Sequence, residues 1–291
     1  MSTFNLSISP AQSEYVLKPG ITIVQAYDII NNSDSEITLN TELLSWIPSG
    51  TDGSVNYNQA INNPNLEFSL ANYDIKLGQP FTLAANSKQQ LVLKIKTNSN
   101  TNLSDNYYTF FVFQNQNTIK SNDSFSQATG KIGSHLLLTV SDVENPKVES
   151  AIQNFSISPK IKDILLKPIT FKGQIKNNSD FFFKTNGKIT ITKNDKVIKE
   201  FELIPSNVLN HHSRDITCLN EKSCSLNPPL WPGHYKVNIT LDPALNAQPI
   251  DTSFYVFPIS PILLILLVAG IIFGIKKLKK KQFTFLFRKS F

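Results

Sequence analysis

Apolar and polar residues alternate along several stretches of the chain. From Ile169 to Lys176 an apolar residue or glycine stands at every second position, and the same pattern recurs over 91–95 and 235–241, and over 21–29 apart from Gln25. This period of two is typical of a β-strand with one buried and one wetted face. No long stretch before residue 257 has a helical period, and turn-forming residues recur every ~8–12 residues. The pattern predicts antiparallel β-sandwiches.

Short motifs occur twice and in the same order. NLSISP at Asn5–Pro10 matches NFSISP at Asn154–Pro159, and the tripeptide Leu-Lys-Pro follows in both copies. NNSD then stands at Asn31–Asp34 and again at Asn177–Asp180. Asn and Asp tolerate left-handed backbone and bond their own main chain, so NNSD between two alternating stretches predicts a hairpin turn. The repetition predicts a duplicated domain.

A tyrosine introduces a late alternating strand in each copy. Tyr108 lies within NLSDNYYTFFVF, and Tyr235 lies within LWPGHYKVNITL. A tyrosine that enters a late strand after a turn fits the tyrosine corner of immunoglobulin-like sandwiches. We therefore expect an all-β fold with two tandem Ig-like antiparallel sandwiches. Their predicted bounds are 1–142 with an insertion at about 48–80, a linker at 143–150, and 151–256.

An uncharged apolar run, Phe257–Ile275, follows the second predicted sandwich. Its 19 residues span roughly 28 Å as a helix, which matches the hydrocarbon core of a bilayer. The alternative is a buried core helix. We expect a single transmembrane helix, followed by a basic tail at 276–291 whose cluster comprises Lys276, Lys277, Lys279, Lys280 and Lys281.

The basic tail also accounts for the net charge and predicts the topology. The chain carries a formal charge of +6, but setting aside the seven basic residues of the tail leaves 21 basic against 22 acidic residues. No basic stripe remains for nucleic acid. The positive-inside rule places the tail in the cytoplasm and residues 1–256 outside it. MSTFNLSISP does not have the pattern of a signal peptide. We expect an export signal upstream, and a tail-anchored protein is the alternative.

Cys218 and Cys224 are the two cysteines of the chain. Their short separation in a polar segment predicts a local disulfide, with free thiols or a metal site as alternatives. His211 and His212 lie nearby but show no recognised ligand spacing. The sequence contains no GxGxxG, Walker or HExxH motif. We expect no catalytic activity, no cofactor and no bound metal.

Aromatic residues and small residues mark the candidate contact surfaces. Tyr107, Phe111 and Phe113 fall on the outward face of their strand, where either the insertion covers them or a glycan or protein partner does. Trp231 is either a binding tip or a plug at the end of the sandwich, and we expect the plug. In the apolar run, Gly270 and Gly274 form GxxxG, which either supports a weak homodimer or occurs by chance.

The order of these motifs resembles that of bacterial surface proteins that interact with WxL proteins. The resemblance is carried by Ser7–Pro10 (SISP), Leu17–Gly20 (LKPG), the first NNSD and Ser104–Tyr108 (SDNYY). It implies two Ig-like domains, one C-terminal membrane helix and a short basic tail. It also implies that the first domain binds peptidoglycan and that the second binds other partners.

These observations lead to an expected function at the cell envelope. We expect a membrane-anchored, non-catalytic protein of the cell surface that acts in adhesion or as a scaffold, with the bilayer and peptidoglycan or another surface protein as partners. The alternative is an assembly or secretion accessory that holds another exported protein by β-strand addition. An extracellular hydrolase is the outlying alternative.

Overall fold

A computed structural model of the chain describes residues 5–58, 65–114, 130–164, 168–219, 224–228 and 230–287. Within these ranges the chain is mostly β-strand, with one long helix near its C-terminal end. The predicted all-β class is therefore confirmed. The chain divides into two compact units. The first comprises Met1–Glu149, Asn177–Phe183 and Asn207–Arg214, and the second comprises Ser150–Lys176, Lys184–Ser206 and Asp215–Phe291.

Two sheets form the part of the first unit that precedes residue 150. Its strands are β1 (Leu6–Ser9), β2 (Gln12–Leu17), β3 (Thr22–Asn31), β4 (Ile37–Pro48), β5 (Val55–Asn58), β6 (Leu66–Leu70), β7 (Phe81–Leu83), β8 (Ser87–Thr97), β9 (Ser104–Gln114) and β10 (Lys131–Val140). One sheet has the order β1-β3-β8-β6, and the other has the order β2-β10-β9-β4-β5 with β7 beside β4. Neighbouring strands are antiparallel, except that β2 runs parallel to β10.

The core of the first unit lies between these sheets. The rings of Tyr27 on β3 and Phe110 on β9 stack across it with their centroids 4.8 Å apart. Tyr108, Phe110 and Val112 are buried, as the alternation predicts. Ile21, the first residue of an alternating stretch, is instead 46% exposed. It precedes β3 and still belongs to a turn, since its amide donates to the Lys18 carbonyl.

The chain after residue 149 repeats this arrangement. Its elements are β11 (Ser150–Ser158), β12 (Ile161–Asp163), β13 (Ile169–Asn177), β14 (Phe183–Lys184), β15 (Gly187–Lys193), β16 (Lys196–Glu202), β17 (Asn207–Val208), β18 (Ser213–Asp215), β19 (Ser225–Leu226), β20 (Gly233–Leu241), a 3-10 turn (Pro243–Leu245) and β21 (Ile250–Phe257). The sheets have the orders β11-β13-β18 with β19 beside β13, β12-β21-β20-β15-β16, and β14-β17.

The repeated SISP motif has the same structural role in both copies. β1 ends just before Pro10, and β2 then pairs in parallel with β10 of the other sheet. β11 likewise ends just before Pro159, and β12 pairs in parallel with β21. Proline has no amide hydrogen to donate, so it suits the point where a chain leaves one sheet and joins another.

The NNSD segment is not the hairpin turn that the sequence predicts. It begins at Asn31, the last residue of β3, and precedes β4, and these two strands belong to different sheets. Asn31 is fully buried at the crossing, where its Nδ2 donates to the carbonyls of Ser35 and Ala84 at 2.9 Å. The amide and hydroxyl of Ser33 donate to Asn31 Oδ1. The side chain therefore bonds the main chain of a crossover between sheets.

The helix α1 (Ile259–Phe287) follows β21 after a single residue. Its segment Ile259–Lys277 has a mean hydropathy of 2.4 and is long and apolar enough to cross a membrane. The predicted run started earlier, at Phe257, but that residue still belongs to β21. None of this segment is buried in the described part of the chain, whereas a core helix would be mostly buried.

Several predicted features of the helix and tail can be placed only in part. Gly270 and Gly274 lie on α1 with open space around them, and dimerisation through them stays a prediction. Lys279, Lys280 and Lys281 belong to α1, but their side chains lie outside the description, as do residues 288–291 of the predicted tail. Residues 59–64 of the predicted insertion also lie outside the described ranges. The predicted domain bounds stay a prediction.

Candidate binding surfaces

Tyr107, the first residue of the predicted contact surface, is covered. Its ring is 8% exposed and stacks on Trp46 of β4 with centroids 4.9 Å apart. Val55, Phe182 and Leu209 pack around this pair. Val55 belongs to the insertion, which was expected to cover this face, but Phe182 and Leu209 come from segments 177–183 and 207–214. A partner has no access to this ring.

The hydroxyl of Tyr107 belongs to a buried hydrogen-bond network. It donates to the Asp105 carboxylate at 2.8 Å, which also accepts from the Thr139 hydroxyl at 2.6 Å and from the Phe182 amide. The Asn210 amide donates to the Tyr107 hydroxyl at 3.3 Å. Burial raises the pKa of Asp105, although its hydrogen bonds act in the opposite direction. The polar groups of this network form hydrogen bonds with one another, which is typical of a site with a structural role.

Phe111 and Phe113 lie further along the same face and are partly exposed. The Lys131 ammonium lies 4.1 Å from the Phe111 ring centroid and 2.9 Å from a Glu42 carboxylate oxygen. Tyr57 of the insertion meets the Phe111 ring edge-on at 5.2 Å. The polar and aromatic groups of this cluster therefore already have partners inside the first unit.

Trp231 is not the plug that the sequence predicts, because its side chain is 82% exposed. Its carbonyl oxygen accepts a hydrogen bond from the Tyr235 hydroxyl at 2.8 Å. This bond from a late-strand tyrosine to the main chain four residues upstream has the form of the predicted tyrosine corner. The main chain at Trp231 is thus held in place while the ring points into solvent.

Cys218 and Cys224 form a disulfide with an S–S distance of 2.01 Å. They line a cavity of about 470 Å³ in the second unit, together with Gly173 and a polar group of side chains. In this group Gln174 donates to Asp215 at 3.0 Å, and Asn154 donates to Gln174 at 3.3 Å. Among the described residues, no group of three His, Cys, Asp or Glu side chains is placed to hold a metal ion.

Among the described strands, β10 is paired along only part of one edge. β10 pairs with β9 over its whole length, whereas β2 pairs with β10 only over His135–Val140. In the part of the chain that the structure describes, no strand pairs with this edge over Lys131–Ser134. Within the described ranges β21 repeats the feature, since β12 pairs with it only over Tyr255–Phe257.

The direction of the free backbone groups follows from the bonds that are made. The His135 amide donates outward, to the Ala11 carbonyl at 2.9 Å. In an antiparallel pair, amides point alternately toward and away from the neighbouring strand, so the amides of Lys131 and Gly133 also point outward. Sequence reasoning missed this edge. The sequence carries no signal for it, because the edge depends on how far β2, with six residues, pairs along the ten residues of β10.

Comparisons with known proteins show only remote structural similarity. No family model and no curated protein matches the chain. A structure of a chaperone–tip adhesin complex of CFA/I fimbriae is 14% identical, with a TM-score of 0.42, and the match covers 82% of this chain and 98% of that one.

Two further solved structures give similar values. The class 5 fimbriae chaperone CfaA is 12% identical with a TM-score of 0.42, over 86% of this chain and 99% of its own. The E. coli chaperone DraB is 14% identical with a TM-score of 0.40, over 87% and 97%. Similarities of this size carry no information about activity or partners.

Proposed function

We propose that this chain is a non-catalytic, membrane-anchored accessory protein of the cell envelope. It holds another exported protein by β-strand addition, in which a strand of that protein pairs with a strand edge of this chain. The observation that supports this most directly is the edge of β10 over Lys131–Ser134, with which none of the described strands pairs. Outward amides and carbonyls along a strand edge are a ready template for a further strand. The helix α1 supplies the anchor, with the basic tail in the cytoplasm.

The side chains beside this edge suit an incoming strand. Such a strand would lie in line with β2, because β2 occupies the same edge over His135–Val140. On the inner face Ile132 is partly buried against the core of the first unit. On the outer face Gly133 has no side chain and lies against the Phe111 ring. Main-chain bonds would supply affinity, and an apolar residue opposite Ile132 would supply specificity.

The adhesion alternative has weaker support from the aromatic face. Tyr107 is buried, Phe111 lies beneath Tyr57, and Lys131 is paired with Glu42. A surface whose groups already satisfy each other offers less to a glycan than a free aromatic platform does. Binding of the chain to peptidoglycan, without a protein partner, is therefore the experimental result that would replace this proposal by the adhesion alternative.

Proline at position 131 gives a sharp test. Lys131→Pro removes an outward amide from the free edge, but it removes no bond to β9, because the Lys131 amide does not point toward β9. Lys131→Ala is the matched control, since it removes the same side chain and keeps the amide. Tagged full-length chains are cross-linked in source-cell envelopes, and the recovered proteins are identified and quantified.

The expected result separates the two variants. The wild-type chain and Lys131→Ala should recover one protein in a stoichiometric amount, and Lys131→Pro should lose it. Equal recovery with Lys131→Pro would show that the edge is not the contact. Retention of the purified chain on wall polymer, without any protein partner, would favour adhesion. Circular dichroism of both variants checks that the β-sheet content is unchanged.

A further inference from the structure

The end of the second unit from which α1 leaves carries a group of exposed apolar side chains. These side chains are 46% to 82% exposed, and we call them the collar: Ile161, Trp231, Tyr255 and Phe257. Single exposed apolar residues are ordinary on protein surfaces. A group that includes three aromatic residues, Trp231, Tyr255 and Phe257, indicates a contact with lipid or with a protein partner.

Strand register places three collar residues on one face. Ile161 of β12 pairs with Tyr255 of β21, so both side chains project from the same side of the sheet. Tyr255 and Phe257 are two residues apart on β21, and their rings stack with centroids 6.2 Å apart. The face therefore continues along β21 to the last residue before the helix segment.

Trp231 lies near the same end of the second unit. Gly233 of β20 stands opposite Val256 of β21 in an antiparallel pair. The residue before Trp231, Leu230, donates its amide to the Ile164 carbonyl at 3.2 Å, and the Ile164 amide in turn donates to the Phe257 carbonyl, so Trp231 lies near the end of β21. The Tyr235 hydroxyl holds the main chain of Trp231, so this position is fixed although its ring is exposed.

Hydrogen bonds connect the start of α1 to the strands that carry the collar. The Asp163 carboxylate accepts from the amide of Ser260 and, at 2.6 Å, from its hydroxyl. The Ile164 amide donates to the Phe257 carbonyl at 3.1 Å. A carboxylate at the first turn also satisfies free helix amides and favours the positive end of the helix dipole. The helix start and the collar are thus tied together.

Two lysines, Lys160 and Lys193, lie next to the collar. The Tyr255 amide donates to the carbonyl of Lys160, and the Lys193 ammonium reaches the Pro232 carbonyl at 2.8 Å. Lys196 lies in the β15–β16 hairpin beside Lys193. Among the charges of this hairpin, Asp195 pairs with Lys236 at 3.2 Å. Apolar and aromatic side chains with lysines beside them are typical of a membrane-interface site.

We infer that the collar is a membrane-docking surface whose occupant is the interface of the phospholipid bilayer. If α1 spans the bilayer, its bonded start sets the collar at the depth of the headgroups, where tryptophan and tyrosine are enriched in membrane proteins. The second unit then rests on the bilayer instead of standing free on a flexible stalk. The inference rests on the membrane anchoring contained in the proposed function.

The two tryptophans of the chain allow a direct test. Trp46 is buried in the first unit and Trp231 belongs to the collar. Trp46→Phe leaves Trp231 as the only reporter, and Trp231→Phe leaves Trp46. Each full-length variant is reconstituted into phosphatidylcholine–phosphatidylglycerol vesicles whose acyl chains carry bromine near the headgroups or near the chain ends. Vesicle flotation is measured on the same samples.

We expect Trp231 emission to fall at least about twofold with bromine near the headgroups, and to fall less with bromine at the chain ends. Trp46 emission should not change. Replacing Tyr255 and Phe257 by serine should reduce the quenching of Trp231. Tyr57→Ser, which changes a similarly exposed aromatic residue outside the collar, should leave it unchanged.

The outcomes distinguish this inference from the proposed function. A chain that does not float with the vesicles would refute the anchor, and the collar proposal with it. A chain that floats while Trp231 stays unquenched would overturn the docking surface and leave the anchor standing. Shielding of Trp231 that requires an added protein would assign the collar to a protein partner and would also overturn the inference.

Discussion

Asn177 holds the same position and the same type of hydrogen bonds in the second repeat as Asn31 holds in the first. Both side chains are fully buried. Nδ2 of Asn177 donates to the carbonyls of Phe181 and Val208 at 2.9 and 3.0 Å, and Oδ1 accepts from the amide and hydroxyl of Ser179. The NNSD repeat is therefore a structural device, used twice where the chain crosses between sheets.

Asn31→Ala and Asn177→Ala should each lower the free energy of unfolding by about 2–3 kcal/mol, because buried carbonyls lose their donors. Urea unfolding of the full chain in detergent measures the loss. Asn178→Ala changes the exposed neighbour and should stay within about 0.5 kcal/mol of the wild type. A loss equally small in both buried variants would show that water replaces the amide, and that the side chain does not hold the crossing.

Gly133 lies too close to Phe111 and Thr109 for a larger residue to fit without a shift. A Cβ at position 133 would lie 2.7 Å from Phe111 Cδ1 and 2.6 Å from Thr109 Cγ2. Gly133→Ala should therefore destabilise the first unit by about 1–3 kcal/mol. The double variant with Phe111→Leu should recover part of this loss, since the smaller side chain can move aside. Strict additivity in this cycle would contradict the packing argument.

Much of the strand pattern could be predicted from the sequence. Alternation identifies the inward residues Tyr108, Phe110 and Tyr235, because a strand places every second side chain on the same face. The tyrosine corner at Tyr235 was also visible, since it depends on residues close together in the chain. Features of this kind can be predicted from short stretches of sequence.

The features that could not be predicted from the sequence depend on which strands become neighbours. Alternation does not say whether the residues after Asn31 rejoin the same sheet, so the hairpin prediction was wrong. The free edge at Lys131–Ser134 depends on pairing between β2 and β10, which are far apart in sequence. Tyr107 shows the same limit, because the side chains that cover it include Phe182 and Leu209.

The buried carboxylate of Asp105 should make stability depend on pH. Burial raises its pKa in the folded chain, so the folded state binds this proton more tightly than the unfolded state does. Its contribution to the free energy of unfolding is then largest below about pH 4, the ordinary range of aspartate, and falls as pH rises through the raised pKa.

Asp105→Asn tests this dependence, because asparagine keeps the size of the side chain and does not titrate. We expect the wild type to lose stability relative to this variant as the pH rises from about 4 to 7. Urea unfolding at several pH values measures the difference, and Asp74→Asn, at an exposed carboxylate, is the control. A difference that stays constant over this range would show that the hydrogen bonds of Asp105 offset its burial.

The Tyr235 hydroxyl connects the core of the second unit to the main chain at Trp231. Tyr235→Phe removes the 2.8 Å bond to the Trp231 carbonyl and keeps the ring, which stacks on Phe254. We expect a loss of about 1 kcal/mol in the free energy of unfolding. The freed segment should also move more, which lowers the fluorescence anisotropy of Trp231 in a Trp46→Phe background. Tyr255→Phe, at an exposed tyrosine, should change neither quantity. Unchanged anisotropy in Tyr235→Phe would show that other contacts fix the segment.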